Sequence, residues 1–263
     1  ALASDEKVGI IDVPGHENFI RNMIIGMTSV DAFILTVDAK EGWKAQTEEH
    51  FQIIRLLEID YGIITITKSD LVSQERLKEV RKEIKERISM TPFKKISVLS
   101  CSIKKGASIQ RLREQMKELA EFIPEKENIK KPRLFIDRVF DIKGSGTVVT
   151  GTLMNGNLHR NQYASLFPLN RQIRLRQLQS YHDQTAEAVT GSRVAVNLAG
   201  VKKSELNRGD LLYGNQEYQF GKVIDVKLIL PSQQPPYLLR NGIEVDFICH
   251  TKIMKGRIVF EKK

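Results

Sequence analysis

At 263 residues the chain is long enough for roughly two domains, each with its own core. Its 41 Lys+Arg against 32 Asp+Glu leave a net charge of +9, a balance that suits a nucleic-acid partner without requiring one. No apolar run approaches the roughly 20 residues of a membrane helix, the amino end carries no secretory pattern, and two distant cysteines, Cys101 and Cys249, argue for a reducing, cytoplasmic compartment rather than a disulfide framework or metal cluster.

In chain order, the apolar run Val8 to Ile11 reads as a buried strand that ends at Asp12. A Pro14-Gly15 turn and an amphipathic helix around Phe19 to Met27 follow. At the carboxyl end of such a strand, Asp12 could hold Mg²⁺ through water, while the small Gly15 lets a backbone N–H approach a phosphate. His16 would then point at whatever attacks that phosphate. Alone, Asp12-x-x-Gly15 fits equally a strand-to-helix turn with a capping Asp. Ala32 to Val37 is a continuous apolar strand, and Gln46 to Leu57 carries Phe51, Ile54 and Leu57 at helical spacing. Strand Gly62 to Thr67 precedes a helix from Ser73 with Leu77, Val80, Ile84 and Ile88 on one stripe. Strand Ile96 to Leu99 precedes another, with Ile109, Leu112, Met116 and Leu119. Strands alternating with helices predict a parallel, doubly wound sheet.

The polar, Lys-rich stretch Pro124 to Pro132 marks a linker. Short strands follow: Leu134 to Phe140, Thr147 to Leu153, Tyr163 to Phe167, Gln172 to Leu178 and Arg193 to Leu198. Turn signals such as Asn155-Gly156 and Asn170-Arg171 separate them, which predicts a small antiparallel barrel. A second all-β unit is expected from Phe220, with Val226, Leu228 and Leu230 alternating, a turn at Asn241-Gly242, and Val245, Phe247 and Cys249 alternating again. It has too few strands to close a barrel. The expected division is 1–124, an α/β nucleotide domain lacking its first strands, then a linker at 125–132, a barrel at 133–215 and an incomplete barrel at 216–263.

Thr67-Lys68-Ser69-Asp70 follows an apolar strand, where a base could lie on the Lys68 stem while Asp70 accepts hydrogen bonds from guanine's N1–H and exocyclic amine. The plain alternative is a solvated turn. Ser100-Cys101, at the next strand end, would supply a backbone N–H to guanine O6. Gly144-Ser145-Gly146 is a hairpin turn rather than a phosphate loop, because such loops open a helix and Val148-Val149-Thr150 continues as strand. His50, His159, His182 and His250 lack metal spacing. Arg174 and Arg176 alternate with Ile173 and Leu175, giving a basic face that is either solvated or in contact with RNA.

These motifs together resemble the elongation factor Tu superfamily of translational GTPases, and most closely its selenocysteine-specific branch. The resemblance rests on Ile11-Asp12-Val13-Pro14-Gly15-His16-Glu17, Val37-Asp38-Ala39, Glu41-Gly42, Gln46-Thr47-Glu48-Glu49-His50 and Thr67-Lys68-Ser69-Asp70. In the barrel it rests on Ile136-Asp137-Arg138-Val139-Phe140, Lys143 to Thr152, Arg193 to Gly200 and Arg208-Gly209-Asp210. It implies a monomeric, cytoplasmic, GTP- and Mg²⁺-dependent carrier that brings selenocysteinyl-tRNA to a ribosome paused at a recoded UGA. The mRNA recoding element would be met only through modules not in this sequence, and no membrane is involved. By this resemblance Asp12 organises Mg²⁺, Gly15 meets the γ-phosphate and His16 positions the hydrolytic water. Thr67, Lys68, Asp70, Ser100 and Cys101 hold guanine, and Asp137, Arg138 and Arg193 lie beside the aminoacyl end of the tRNA.

The sequence departs from that family in having no Gly-x-x-x-x-Gly-Lys-Ser/Thr phosphate loop. The chain as given is therefore expected not to hydrolyse GTP. It looks cut short at both ends. Two other readings remain: a general aminoacyl-tRNA or initiator-tRNA carrier, against which Asp137-Arg138 with Arg193 argues, and a non-catalytic RNA- or ribosome-binding module with a vestigial GTPase half.

Overall fold

In the computed structural model, which describes residues 8–214, 218–229 and 239–260, the chain forms two compact units, Ala1–Pro124 and Glu125–Lys263. The first begins with α1 (Ile20–Met27) and continues β1 (Phe33–Asp38), α2 (Ala45–Leu56), β2 (Tyr61–Thr67), α3 (Gln74–Ser89), β3 (Lys95–Ser100) and α4 (Gly106–Phe122). The sheet has order β1-β2-β3 and is parallel throughout. Alternation in β2 sends Ile64 and Ile66 into one core, with Met23, Phe51, Ile54, Val80 and Ile84, and Ile63 into another, with Leu99 and Leu119. Helices thus cover both faces, the doubly wound plan. Ser73 caps α3, its hydroxyl accepting from Arg76 N–H at 3.2 Å, which ends the loop where a Ser N-cap should. Gly62 is required by packing: a Cβ there would lie 2.4 Å from the Phe33 ring.

Val8 to Ile11 is not the expected buried strand. The segment is unpaired coil, with Val8 52% and Ile10 77% exposed. A strand persists only where a neighbour takes up its backbone N–H and C=O groups, and among the described residues none runs beside this segment. Val13 is anchored, packing on the core near Gly26. Likewise β1, read as apolar on both faces, buries Phe33, Leu35 and Val37 but leaves Ile34 43% exposed, because α4 packs on β2 and β3.

The second unit is built on a closed barrel. Its strands are β4 (Arg133–Phe135), β5 (Arg138–Ile142), β6 (Gly146–Met154), β7 (Leu158–His159), β8 (Tyr163–Phe167), β9 (Arg171–Ser180), β10 (Asp183–Thr185), β11 (Glu187–Ala188), β12 (Arg193–Leu198) and β13 (Leu211–Tyr213). Six of them close the circuit β9-β12-β6-β4-β13-β8, with β8 pairing back to β9. Leu134, Val149, Leu153, Leu166, Leu175, Val194, Val196 and Leu212 fill the interior. The hairpin at Gly144-Ser145-Gly146 joins β5 to β6, with Ile142 opposite Gly146, as expected from its glycines, both at positive φ.

The run Leu134 to Phe140, read as one strand, is broken at Ile136-Asp137. Leu134 pairs with Leu153 but Arg138 with Thr150, so the pairing slips by one residue. At the break Ile136 N–H turns to Asp210 O (2.9 Å) and Ile136 O accepts from Gly209 N–H (2.7 Å). The short strand β13, too brief to show a periodicity, completes the circuit.

Of the second all-β unit, the described residues form one hairpin, β14 (Glu244–Cys249) with β15 (Lys252–Arg257). The Asn241-Gly242 turn precedes it, Gly242 donating to Ile258 O at 2.8 Å. Val226 and Leu228 do not form the expected strand; they are 65% and 47% exposed, again without a pairing neighbour among the described residues. Leu230 lies outside the described residues. The hairpin tip rests on the barrel: Thr251 Oγ1 donates to Ile136 O at 2.9 Å, and His250 stacks on Phe135 at 4.0 Å. No helix among the described residues is long and apolar enough to cross a membrane.

Candidate functional site

Parallel register brings three strand ends together: Asp38 lies opposite Thr67, and Ile66 opposite Ser100. Backbone bonds extend the sheet past these ends, with Ala39 N–H donating to Thr67 O (3.0 Å), Cys101 N–H to Ile66 O (2.8 Å) and Ser69 N–H to Cys101 O (3.2 Å). Thr67 Oγ1 donates to Val37 O at 3.3 Å. Lys68 takes a positive φ of 54°, which throws its side chain back over β1, and its Nζ lies 2.6 Å from Asp38 Oδ2. The Lys68 ammonium holds the Asp38 carboxyl below its ordinary value, and the pairing raises Lys68 in turn.

Asp70 follows two residues later, its side chain 15% exposed and Lys104 Nζ 3.8 Å away. A hydrogen bond from the buried Ser102 hydroxyl, more than the neighbouring Lys104 and Lys105 charges, holds its carboxyl below 3.8. Ser102 Oγ also accepts Lys104 N–H at 3.1 Å. A carboxylate kept ionised at a strand end is an acceptor pair suited to guanine's two adjacent N–H groups.

The expected roles of Ser100 and Cys101 do not fit this geometry. Ser100 Oγ accepts from Arg81 Nη2 at 2.9 Å, and the Cys101 N–H is already used by Ile66 O in the sheet. Of the residues that follow, Ser102 bonds Asp70 and Ile103, next in sequence, is 92% exposed. The sign of the Asp70 contact in the sequence is Ser102-Ile103-Lys104, standing just before the α4 start at Gly106.

Around the other motif, Gly15 O accepts a hydrogen bond from Gln46 Nε2 on α2. His16 is exposed, its Nδ1 accepting Asn18 N–H at 3.3 Å and its ring meeting Phe19 edge-on. Asp12 is exposed and, among the described residues, has no hydrogen-bond or ion-pair partner. One free carboxylate is a fitting hard-oxygen donor for Mg²⁺, which usually keeps several waters and phosphate oxygens as its other ligands. No group of three or more His, Cys, Asp or Glu that could hold a metal occurs among the described residues.

On the barrel, the break at Ile136-Asp137 turns Asp137 to the outer face. Arg193 opens β12 there, because Val194 and Val196 point inward. Arg193 Nη1 lies 2.7 Å from Asp137 Oδ2, Nη2 donates to Oδ1 at 3.1 Å, and Thr150 Oγ1 donates to the same Oδ1 at 2.5 Å. Arg138, opposite Thr150, is exposed and has no ion-pair partner among the described residues.

A parallel α/β domain ending a strand in Thr67-Lys68-Ser69-Asp70, followed by a closed six-strand barrel, defines a translational GTPase architecture. The chain matches the elongation factor Tu GTP binding domain over residues 3–124 and elongation factor Tu domain 2 over residues 146–213, and it belongs to the elongation factor Tu superfamily. Its most similar relatives include selenocysteine-specific elongation factors. That of Desulfomicrobium baculatum is 35% identical over 260 residues, covering 98% of this chain and 41% of the relative. That of Escherichia coli is 36% identical over 207 residues, covering 78% of this chain and 33% of the relative. The solved translation elongation factor SelB from Methanococcus maripaludis, in complex with the GTP analogue GPPNHP, superposes with a TM-score of 0.78 at 27% identity, over 93% of this chain and 54% of that one. The chain thus spans about a third to a half of these relatives' lengths.

Proposed function

We propose that this chain is part of a GTP-dependent carrier that delivers selenocysteinyl-tRNA to the ribosome at recoded UGA codons, working as a monomer in the cytoplasm. Residues 1–124 would be the GTPase domain, 125–132 a linker, 133–215 the second domain and 216–263 part of a third. Thr67, Lys68 and Asp70 would hold guanine, with Ser102 orienting Asp70. Asp12 would hold Mg²⁺ through water, Gly15 would offer its N–H to the γ-phosphate, and His16 would orient the attacking water. When bound, Mg²⁺ neutralises phosphate charge.

The observation that carries the selenocysteine reading is the exposed Arg138 on the outer face of the barrel, without an ion-pair partner among the described residues and adjoining the Asp137–Arg193 pair. A selenol is a much stronger acid than a thiol, so selenocysteine is largely an anion at neutral pH while serine is neutral. Arg193 is fixed by a two-pronged ion pair, and Arg138 adds an uncompensated charge next to it. Arginine keeps its charge on such a surface, whereas a lysine could lose its proton on partial burial. Asp137, partly neutralised by Arg193, is also a candidate acceptor for the α-amino group.

The 263 residues contain no phosphate-loop sequence, so the test uses the full-length protein. Affinities for GTP and ATP, and for selenocysteinyl-tRNA and seryl-tRNA in the GTP state, are the measurements. Preference for GTP and for selenocysteinyl-tRNA is expected. Equal affinity for the two tRNAs would identify a general carrier, and no guanine-nucleotide binding would leave a non-catalytic module.

A further inference from the structure

Asp38 is engaged by three groups from two directions. Its Oδ2 meets Lys68 Nζ at 2.6 Å, while Oδ1 accepts the N–H groups of Lys40 at 2.8 Å and Glu41 at 3.3 Å. The carboxylate is only 17% exposed, against 64% for the Lys68 side chain, so an enclosed group holds an exposed one. The Lys68 backbone is held as well, its O accepting Leu71 N–H at 3.0 Å and the preceding Thr67 O accepting Ala39 N–H at 3.0 Å.

We propose that Asp38 is a positioning residue for nucleotide binding: it ties down the Lys68 ammonium so that the Lys68 stem already lies as a platform for the base. This rests on the guanine-site reading given above. A lysine side chain loses much rotamer freedom when it is ordered. Here that ordering occurs within the free protein, so the ligand does not bear it, and affinity rises without any contact between Asp38 and the nucleotide. The same carboxylate anchors the turn that leads to α2, whose Gln46 donates to Gly15 O. Asp38→Asn separates the two duties. An amide oxygen still accepts from Lys40 and Glu41, but the charge facing Lys68 is gone. Lys68→Met removes the ammonium and keeps an apolar stem.

GDP affinity of the full-length protein, measured by calorimetry for wild type, Asp38→Asn, Lys68→Met and the double variant, tests this. Each single variant is expected to raise Kd about three- to fivefold, the upper range for an ion pair of this exposure. The double variant should be no weaker than Lys68→Met, since both changes remove one interaction. A Kd for Asp38→Asn equal to wild type overturns the proposal. So do losses that multiply in the double variant, which would mean that Asp38 acts through the α2 turn instead. Wild-type protein that fails to bind guanine nucleotides contradicts the functional reading itself, a result separate from either of these.

Discussion

Arg193 grips Asp137 with both terminal nitrogens, at 2.7 and 3.1 Å, across the outer face of the barrel. The pair joins the start of β12 to the break between β4 and β5, and Thr150 on β6 completes it from between. Within it the Arg193 charge is largely compensated, whereas Arg138, the residue after Asp137, is exposed and has no ion-pair partner among the described residues.

Two substitutions with different outcomes follow for tRNA choice. Arg138→Gln should lower the preference for selenocysteinyl-tRNA over seryl-tRNA about tenfold, the scale of one charge-assisted hydrogen bond, and leave stability unchanged. Arg193→Ala should narrow the same preference and also lower the thermal midpoint, because it strands the partly buried Asp137. Both should leave GTP affinity intact. Equal loss of affinity for the two tRNAs in both variants would place the selenolate contact elsewhere.

For base choice, Asp70→Asn in the full-length protein should weaken GTP binding and improve binding of XTP relative to GTP, because xanthine's N1/C2 edge matches an amide. Ser102→Ala should weaken GTP binding by a smaller factor, about threefold, because Ser102 bonds Asp70 rather than the base, and should leave base preference unchanged. Competition with the four nucleoside triphosphates and XTP reads both effects. Unchanged guanine preference in Asp70→Asn removes Asp70 from the base site.

The hairpin contact with the barrel should depend on pH through His250. Burial, then the Arg133 charge, holds its imidazole below 6.5, so the unfolded chain takes up the proton more readily than the folded one. The stacking contribution is therefore complete above about pH 6.5 and falls as pH drops toward the folded value. Wild type should lose more stability than His250→Asn between about pH 7.5 and about pH 5; Asn tolerates the positive φ of 49° at this position. Thermal midpoints of both proteins across that range check it, and parallel curves would exclude His250.

Gly151 sits where β6 passes the strand break, and a Cβ there would lie 2.4 Å from Phe135 O and 2.7 Å from Leu134 Cδ2. Gly151→Ala should destabilise the barrel by about 1 to 3 kcal/mol, the usual range for overpacking. Denaturant unfolding with a barrel-specific probe measures this. A stability equal to wild type would show that β4 can shift away.

The amino-acid sequence by itself determined the alternation of strand and helix through residue 122, the inward parity of Val194 and Val196, the hairpin at Gly144 to Gly146 and the strand-end motif carrying Lys68 and Asp70. Each of these is a local pattern of period 2 or 3.6, or a turn chemistry, and is written in neighbouring residues. Tertiary structure decided the rest. Val8 to Ile11 carries a strand pattern and stays coil, because pairing requires a partner that no local pattern supplies. The barrel closes through β13, three residues whose strand character comes only from the neighbours β4 and β8. Ser102 rather than Cys101 bonds the Asp70 carboxylate, and register consumes the Cys101 N–H at Ile66. The partners of Asp38 and Asp137, Lys68 and Arg193, lie 30 and 56 residues away along the chain, and only the packed sheet and the closed barrel bring those charges within reach of each other.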